Sequence, residues 1–327
     1  MTGASWLFRR ALQAAATYVL AVIIIFFLMR VTPGDPLARL SEDRPLPPEA
    51  IASLRARYGL DQPPLRQFAA FLRGVGTGDL GLSIEQGRPV TRLLAERLPA
   101  TLLLGGTVLA LNFTVGLWLG VWQARRRHTR ADRILTALTL AAYATPSFWL
   151  GLVLAWLFGT TLHWLPVAGM RSPWLPADAG WLARLGDLLR HLVLPVFTLS
   201  AVTIAATIRH QRAAMLEVLR QDYVRTAQMK GLPPRAVYWR HAWRNALTPV
   251  LTLFGLWLPL LVAGSVFVEA VFAWPGLGTL AAQAIGSRDY PVIMGCALLV
   301  SGVVVLGNLL ADGLQRLVDP RVGGGGA

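Results

Sequence analysis

Lys230 is the only lysine among the 31 basic residues of this 327-residue chain. A phosphate-cradling loop needs a Gly-Lys-Ser/Thr step, but Lys230 follows Met229 and precedes Gly231, so the chain cannot bind ATP that way. Gly76-Thr-Gly-Asp-Leu-Gly81 satisfies the dinucleotide spacing GxGxxG, and its first four residues satisfy the GxGD of intramembrane aspartyl proteases. The first pattern needs a preceding strand and a following helix, and the second needs a membrane-buried Asp with a partner Asp. Here the glycines flank Asp79 in a polar loop after an amphipathic stretch, which reads as a tight turn. His128, His163, His191, His210 and His241 form no HExxH and no pair at helical metal spacing, so no metal site is expected. One cysteine, Cys296, lies inside an apolar run and can build neither a disulfide nor a cysteine metal site within the chain.

The elements that must position these groups are set by the solvent. Hydrophobic residues make up 54% of the chain and charged residues 15%, where soluble domains carry about 25% charged. The apolar residues gather into six runs, roughly 11–29, 100–122, 134–158, 191–208, 248–268 and 292–314, each long enough to cross about 30 Å of hydrocarbon as a helix. Six spans place both termini on one side. The first run follows Arg9 and Arg10, is too long for a signal-peptide core and lacks a small-residue cleavage site, so it reads as an uncleaved anchor. On the side of the termini lie 17 basic residues, in 9–10, 125–133, 209–244 and 316–321, against four in the short opposite loops. The other ten fall in 30–98, a segment too long to count in the positive-inside rule. Both termini are therefore expected in the cytoplasm. Topology accounts for the net charge of +14, and no nucleic-acid partner is expected.

Segment 30–98 is patterned as a small extracytoplasmic cap. Pro48 opens a helical spacing of Ile51, Leu54 and Tyr58 closed by Gly59; a second follows Pro64 with Leu65, Phe68 and Leu72; a third carries Val90, Leu93 and Leu94 ahead of Pro99. The glycine-rich tail 320–327 is expected to be disordered.

The loop 209–247 is far longer than a connection requires. Met215, Leu219, Tyr223 and Ala227 recur every four residues, which predicts an amphipathic helix prolonging the fourth span until Gly231, Pro233 and Pro234 stop it. A second short helix is expected from Pro234, with Ala236, Trp239, Trp243 and Leu247 on one face. Aromatic and arginine side chains on such an element suit docking into a groove on a cytoplasmic partner. The same pattern fits a helix lying in the lipid interface with Trp239 and Trp243 among headgroups.

Within the spans, Asp312 is expected to pair with Arg316 at i+4. Glu269 is either interfacial structure or part of an outer gate with Trp274, Pro275 and Gly276 in the break after the fifth span. Pro146, Pro195 and Pro259 mark candidate kinks, and Gly116 and Gly120 a close helix contact.

Several stretches resemble one family in order along the chain: Arg30-Val-Thr-Pro-Gly-Asp-Pro36, Tyr58-Gly-Leu-Asp-Gln-Pro63, Gly78-Asp-Leu-Gly81, Glu96-Arg-Leu-Pro-Ala-Thr101, Tyr223-Val-Arg-Thr-Ala-Gln-Met-Lys-Gly231-Leu232, Arg240-His-Ala-Trp-Arg-Asn245-Ala-Leu-Thr-Pro249, Phe272-Ala-Trp-Pro-Gly276, Arg288-Asp-Tyr-Pro291 and Asp319-Pro-Arg321. Together they resemble the dipeptide/oligopeptide/nickel permeases of binding-protein-dependent ABC importers. The resemblance implies an all-α integral membrane protein of the type I importer permease fold, with six transmembrane helices and the cap between the first two: 1–98 anchor and cap, 99–319 permease core. It implies ATPase coupling through Tyr223, Arg225, Thr226, Ala227, Lys230, Gly231, Leu232, Arg240 and Asn245. The importer pattern Glu-Ala-Ala before Gly is degraded here to Arg225, Thr226 and Ala227, which puts in doubt a salt bridge from that position to the ATPase. Implied partners are a second related permease, two cytoplasmic ATPases that bind ATP and Mg, and an extracytoplasmic substrate-binding protein. The chain itself is expected to hold no cofactor and to sit as a multi-pass protein in the bacterial inner membrane. Short peptides are the first substrate implied, with nickel chelates or other solutes as alternatives. A secondary carrier would need charged groups at mid-membrane and repeated halves, and a membrane hydrolase a nucleophile with its base in the spans. Neither set is evident.

Overall fold

The computed structural model describes residues 3–31, 37 and 47–318, with side chains 3–7, 234, 240, 241, 248, 251–256, 258–264, 314, 315, 317 and 318 outside the description. The tail 320–327, residues 32–36 and Asp319-Pro-Arg321 lie outside the described residues. Among the described residues, regular structure is helical except for one antiparallel bridge between Leu82 and Pro89.

Helix α1 (Gly3–Val31) is followed by α2 (Pro48–Arg57) and α3 (Pro64–Thr77), each opened by a proline at its first position, where no intrahelical donor is needed. Helix α4 (Val90–Leu111) continues through a π-helical turn, Asn112–Gly116, into α5 (Leu117–Arg125). The third cap helix is thus not separate: α4 carries Pro99 internally, because buried residues hold it on both sides. Val90, Leu93 and Leu94 pack with Leu277, Leu280 and Cys296, and Ala100, Leu104 and Val108 pack with Leu192, Leu199 and Trp274.

Helix α6 (Arg130–Ala144) is capped by Thr129, whose hydroxyl accepts from the Asp132 amide. It meets α7 (Ser147–Leu154) at a 103° bend. The break falls at Pro146, which forces Thr145 into an extended conformation. Helix α8 (Trp181–Val218) runs unbroken through Pro195, α9 covers Asp222–Met229, and α10 (Trp243–Val271), α11 (Leu277–Ser287) and α12 (Tyr290–Val318) complete the chain. Among the described residues, four helical stretches are long and apolar enough to cross a membrane, and the bent α6–α7 pair makes a fifth if it counts as one span. The run 248–268 falls within α10, and the side chain of Pro259 is among those not described.

Helix α8 is the hub, packed against α4 to α7 and α10, while α12 packs on α10 and α1. Gly116 and Gly120 make the α5–α8 contact close: a Cβ on Gly120 would stand 2.6 Å from that of Gln211. Asn112, buried in the π-helical turn, donates to Thr203 of α8 at 2.9 Å. Asp312 takes a partner that its sequence spacing to Arg316 does not suggest. It receives Arg10 of α1 in a bidentate pair, Nη2 to Oδ1 at 2.7 Å, because α1 packs along α12 and brings a second guanidinium to the same level.

Candidate functional site

The predicted docking element is built differently from its sequence pattern. Helix α8 stops at Val218, and α9 starts after Gln221, whose extended backbone (ψ 147°) turns the chain. The expected single prolongation is therefore two helices, because Leu219 to Gln221 form a turn in place of helix. The buried face is Val224 and Ala227, packed with Val237, and Tyr223 points outward, 42% exposed. Its hydroxyl accepts from Asn245 Nδ2 at 2.6 Å, which ties α9 to the start of α10.

Gly231 ends this unit with φ 74°, the left-handed conformation that a side chain disfavours, and its amide bonds to the Gln228 carbonyl. Leu232 then returns its amide to Ala227 O at 3.4 Å. From Pro234 the chain enters a π-helical turn, Val237–Ala242, that runs straight into α10. The buried face is Val237, Ala242, Ala246 and Val250, and of the expected aromatic and apolar face Trp243 and Leu247 are partly buried against it. The wider turn adds a residue and rotates the face. Trp239 stays exposed and packs against Trp243 in a tilted arrangement, ring centroids 5.4 Å apart.

Arg225, Thr226 and Lys230 lie on the exposed side with Met229, which is 82% exposed. Arg225 sits 3.6 Å from Asp222 on the same helix, and Thr226 Oγ1 donates to Asp222 O. The side chain of Arg240 is outside the description. The surface thus has its own small core beneath and basic, polar and apolar groups above.

A polar cluster that the sequence reading missed braces this end. Asp132 at the start of α6 is buried and takes a bidentate pair from Arg212 of α8, at 3.1 and 3.0 Å. The His128 amide also donates to it, and Gln123 Nε2 donates to its backbone carbonyl and to Thr136 Oγ1. The available signal was Thr129 three residues before Asp132, a capping pattern. Nothing in the spacing pointed to Arg212, 80 residues away.

At the opposite end, Glu269, Trp274, Pro275 and Gly276 come together in a closed knot. Glu269 is fully buried and accepts from Thr101 Oγ1 at 3.0 Å, Ser265 Oγ at 3.1 Å and the Thr279 amide at 3.0 Å. Thr101 Oγ1 in turn accepts from the Leu277 amide at 2.7 Å. Trp274 is fully buried and donates its indole N–H to Ala100 O at 2.9 Å. Pro275 is half-buried, and a Cβ on Gly276 would stand 2.3 Å from the Glu269 carboxylate. Thr101 was the missed member: a hydroxyl inside an apolar run signals a buried hydrogen bond but does not name its partner. The cap is fastened in the same style. Asp289 is buried and accepts from the Ser83 hydroxyl and from the amides of Ile84 and Glu85, while Tyr58 donates to Ser83 O.

Several helices long and apolar enough to cross a membrane, tied by buried polar groups, fit a helical membrane protein. The chain belongs to the binding-protein-dependent transport system inner membrane component family, whose pattern matches residues 116–324. The pattern of the family's N-terminal membrane component matches residues 4–105. The chain is 38% identical over 322 residues to the oligopeptide transport system permease protein AppB of Bacillus subtilis (strain 168), covering 98% of this chain and 99% of that one. It is 38% identical over 330 residues to the di/tripeptide transport system permease protein DppB of Pseudomonas aeruginosa (strain UCBPP-PA14), covering 97% and 98%. A putative peptide transport system permease of Brucella abortus (strain 2308) is 40% identical over 314 residues, covering 96% and 97%.

Proposed function

We propose that this chain is a permease subunit of an ATP-driven importer of short peptides. The observation that carries the reading is the element α9–Gly231–Val237: a folded, exposed surface at the end of the hub helix, in a chain whose only lysine belongs to no phosphate loop. Energy must then come from elsewhere, and this surface is where it would enter. The peptide names of the relatives support the substrate class; a nickel complex or another solute is the alternative within the same family.

In this account the chain crosses the inner membrane six times, with α10 as the fifth span and α12 as the sixth, and both termini and the coupling loop 209–247 are cytoplasmic. The cap of α2 and α3 faces outward, toward an extracytoplasmic binding protein. A second related permease completes the pathway, and two ATPases, which hold ATP and Mg, receive Tyr223, Arg225, Thr226, Ala227, Lys230, Gly231, Leu232, Arg240 and Asn245. When the ATPases close, α9 is displaced. Since Asn245 holds Tyr223 and Arg212 holds Asp132, the end of α10 travels with α9 and the end of α6 with α8. The knot at Glu269 then has to shift for the outer end to open, which makes Glu269, Trp274, Pro275 and Gly276 the outer gate.

The test is reconstitution with partner subunits in vesicles. ATP-dependent uptake of a labelled dipeptide is expected, with no ATP hydrolysis by the purified chain alone. Robust hydrolysis by the solitary chain, or uptake driven by an ion gradient without ATP, would refute the proposal.

A further inference from the structure

A cleft of about 450 Å³ opens where α2 and α3 meet the ends of α1 and α12. Its floor is apolar: Phe26 of α1, Phe71 of α3, Ile84 and Met294. Its polar groups are dominated by three arginines from three helices, Arg30, Arg57 and Arg66. Among the described residues, no ion pair joins any of the three to a carboxylate. The single acid in the lining, Asp79, already accepts the Gly81 amide at 2.9 Å. Arg30 is half-buried, with its guanidinium 5.7 Å from the Phe26 ring centroid.

The depth of the cleft says which anion it meets. Arg30 closes the membrane-length stretch Phe8–Val31, and Tyr290, also in the lining, opens the stretch Tyr290–Gly313. The cleft therefore lies at the level where hydrocarbon gives way to headgroups. Helix α3 is amphipathic and has no fully buried residue, with Phe68 and Phe71 partly buried against Phe26 and with Leu65 and Leu72 exposed, the disposition of a helix lying along an interface. Three guanidiniums that no ion pair joins to a carboxylate among the described residues, above an aromatic floor at headgroup depth, match a phosphate carried on an apolar body.

We propose that this cleft binds an anionic phospholipid, its phosphate between Arg30, Arg57 and Arg66 and the upper part of an acyl chain along Phe26 and Phe71. The site is separate from the docking surface and does not depend on the transport reading. A bound lipid would fasten α2 and α3 to the span α1 through a ligand, where the bridge Leu82–Pro89 is fastened through Asp289.

The test uses the full chain in phosphatidylcholine nanodiscs, with spin-labelled phosphatidylglycerol or spin-labelled phosphatidylcholine as probe and the motionally restricted fraction as readout. Phosphatidylglycerol is expected to be preferred, and each of Arg30→Gln, Arg57→Gln and Arg66→Gln to weaken that preference about fivefold, equivalent to about 1 kcal/mol per arginine. Ala70→Phe, on the exposed rim, fills the cleft and keeps all three charges; it should abolish the preference too. An unchanged preference in the triple arginine variant would overturn the proposal. So would a preference that survives Ala70→Phe, which would be general surface attraction. Displacement of the labelled lipid by a dipeptide with a free carboxyl terminus would assign the cleft to peptide instead.

Discussion

Two glycines at opposite ends of the molecule are constrained in opposite ways. Gly276 has an ordinary backbone (φ −99°), but any Cβ there collides with the Glu269 carboxylate. Gly231 has open space around it, nothing within 4 Å of a would-be Cβ, but its φ of 74° penalises any side chain. The knot at Glu269 is limited by room, and the turn at Gly231 by conformation. The first constraint belongs to a packed interior whose polar groups satisfy one another. The second belongs to an exposed turn with room for a side chain, where the backbone conformation alone selects glycine.

The largest effect should come from filling the closed end. Gly276→Ala is expected to cost about 3 kcal/mol, the upper range for forced overpacking, and to appear as a large drop in thermal stability in detergent. A variant as stable as the parent would mean that the knot is loose, and the contrast would fail. Next is the brace behind the docking surface. Asp132→Asn should cost about 1–2 kcal/mol, less than a fully buried pair because Arg212 is 30% exposed. In a double-mutant cycle Arg212→Gln should add little once Asp132 is replaced; full additivity would show that the bidentate pair carries no coupling. The smallest effect on stability belongs to the docking surface. Arg225, 65% exposed, should change stability by no more than about 0.5 kcal/mol as Arg225→Glu, while ATPase co-purification weakens in a salt-dependent way. A change in melting temperature larger than that for Asp132→Asn would put Arg225 in the scaffold. Labelling sharpens the same comparison by side: with Cys296 replaced by Ser, Gln86→Cys should react with an impermeant maleimide from outside and Met229→Cys only from the cytoplasm. Reaction of both from one face would reverse or collapse the topology.

The sequence made the helices legible because apolar runs near membrane length and prolines at helix starts are local signals. Pro48, Pro64 and Gly231 mark where α2, α3 and α9 begin or end. The face of the element after Pro234 was not legible. A π-helical turn at Val237–Ala242 shifts every later position by one residue, and no residue type announces it. The break after Val218 was hidden for a related reason, since the four-residue spacing of Met215, Leu219, Tyr223 and Ala227 continues through it. Partner choice for buried charges was equally hidden. Asp312 has a basic neighbour in sequence at Arg316 but bonds Arg10, 302 residues away, and Glu269 could be singled out while Thr101, which bonds it, could not.

The central claim is that the Gly231 turn serves a partner and not the fold of this chain. Gly231→Val, reconstituted with the partner subunits at matched protein levels, tests it most directly. The backbone strain is about 1–2 kcal/mol, so insertion and the exposure of Gln86→Cys should be unchanged, while stimulated ATP hydrolysis and peptide uptake are lost together. Normal uptake by Gly231→Val would contradict the account and leave the element as a helix resting in the lipid interface.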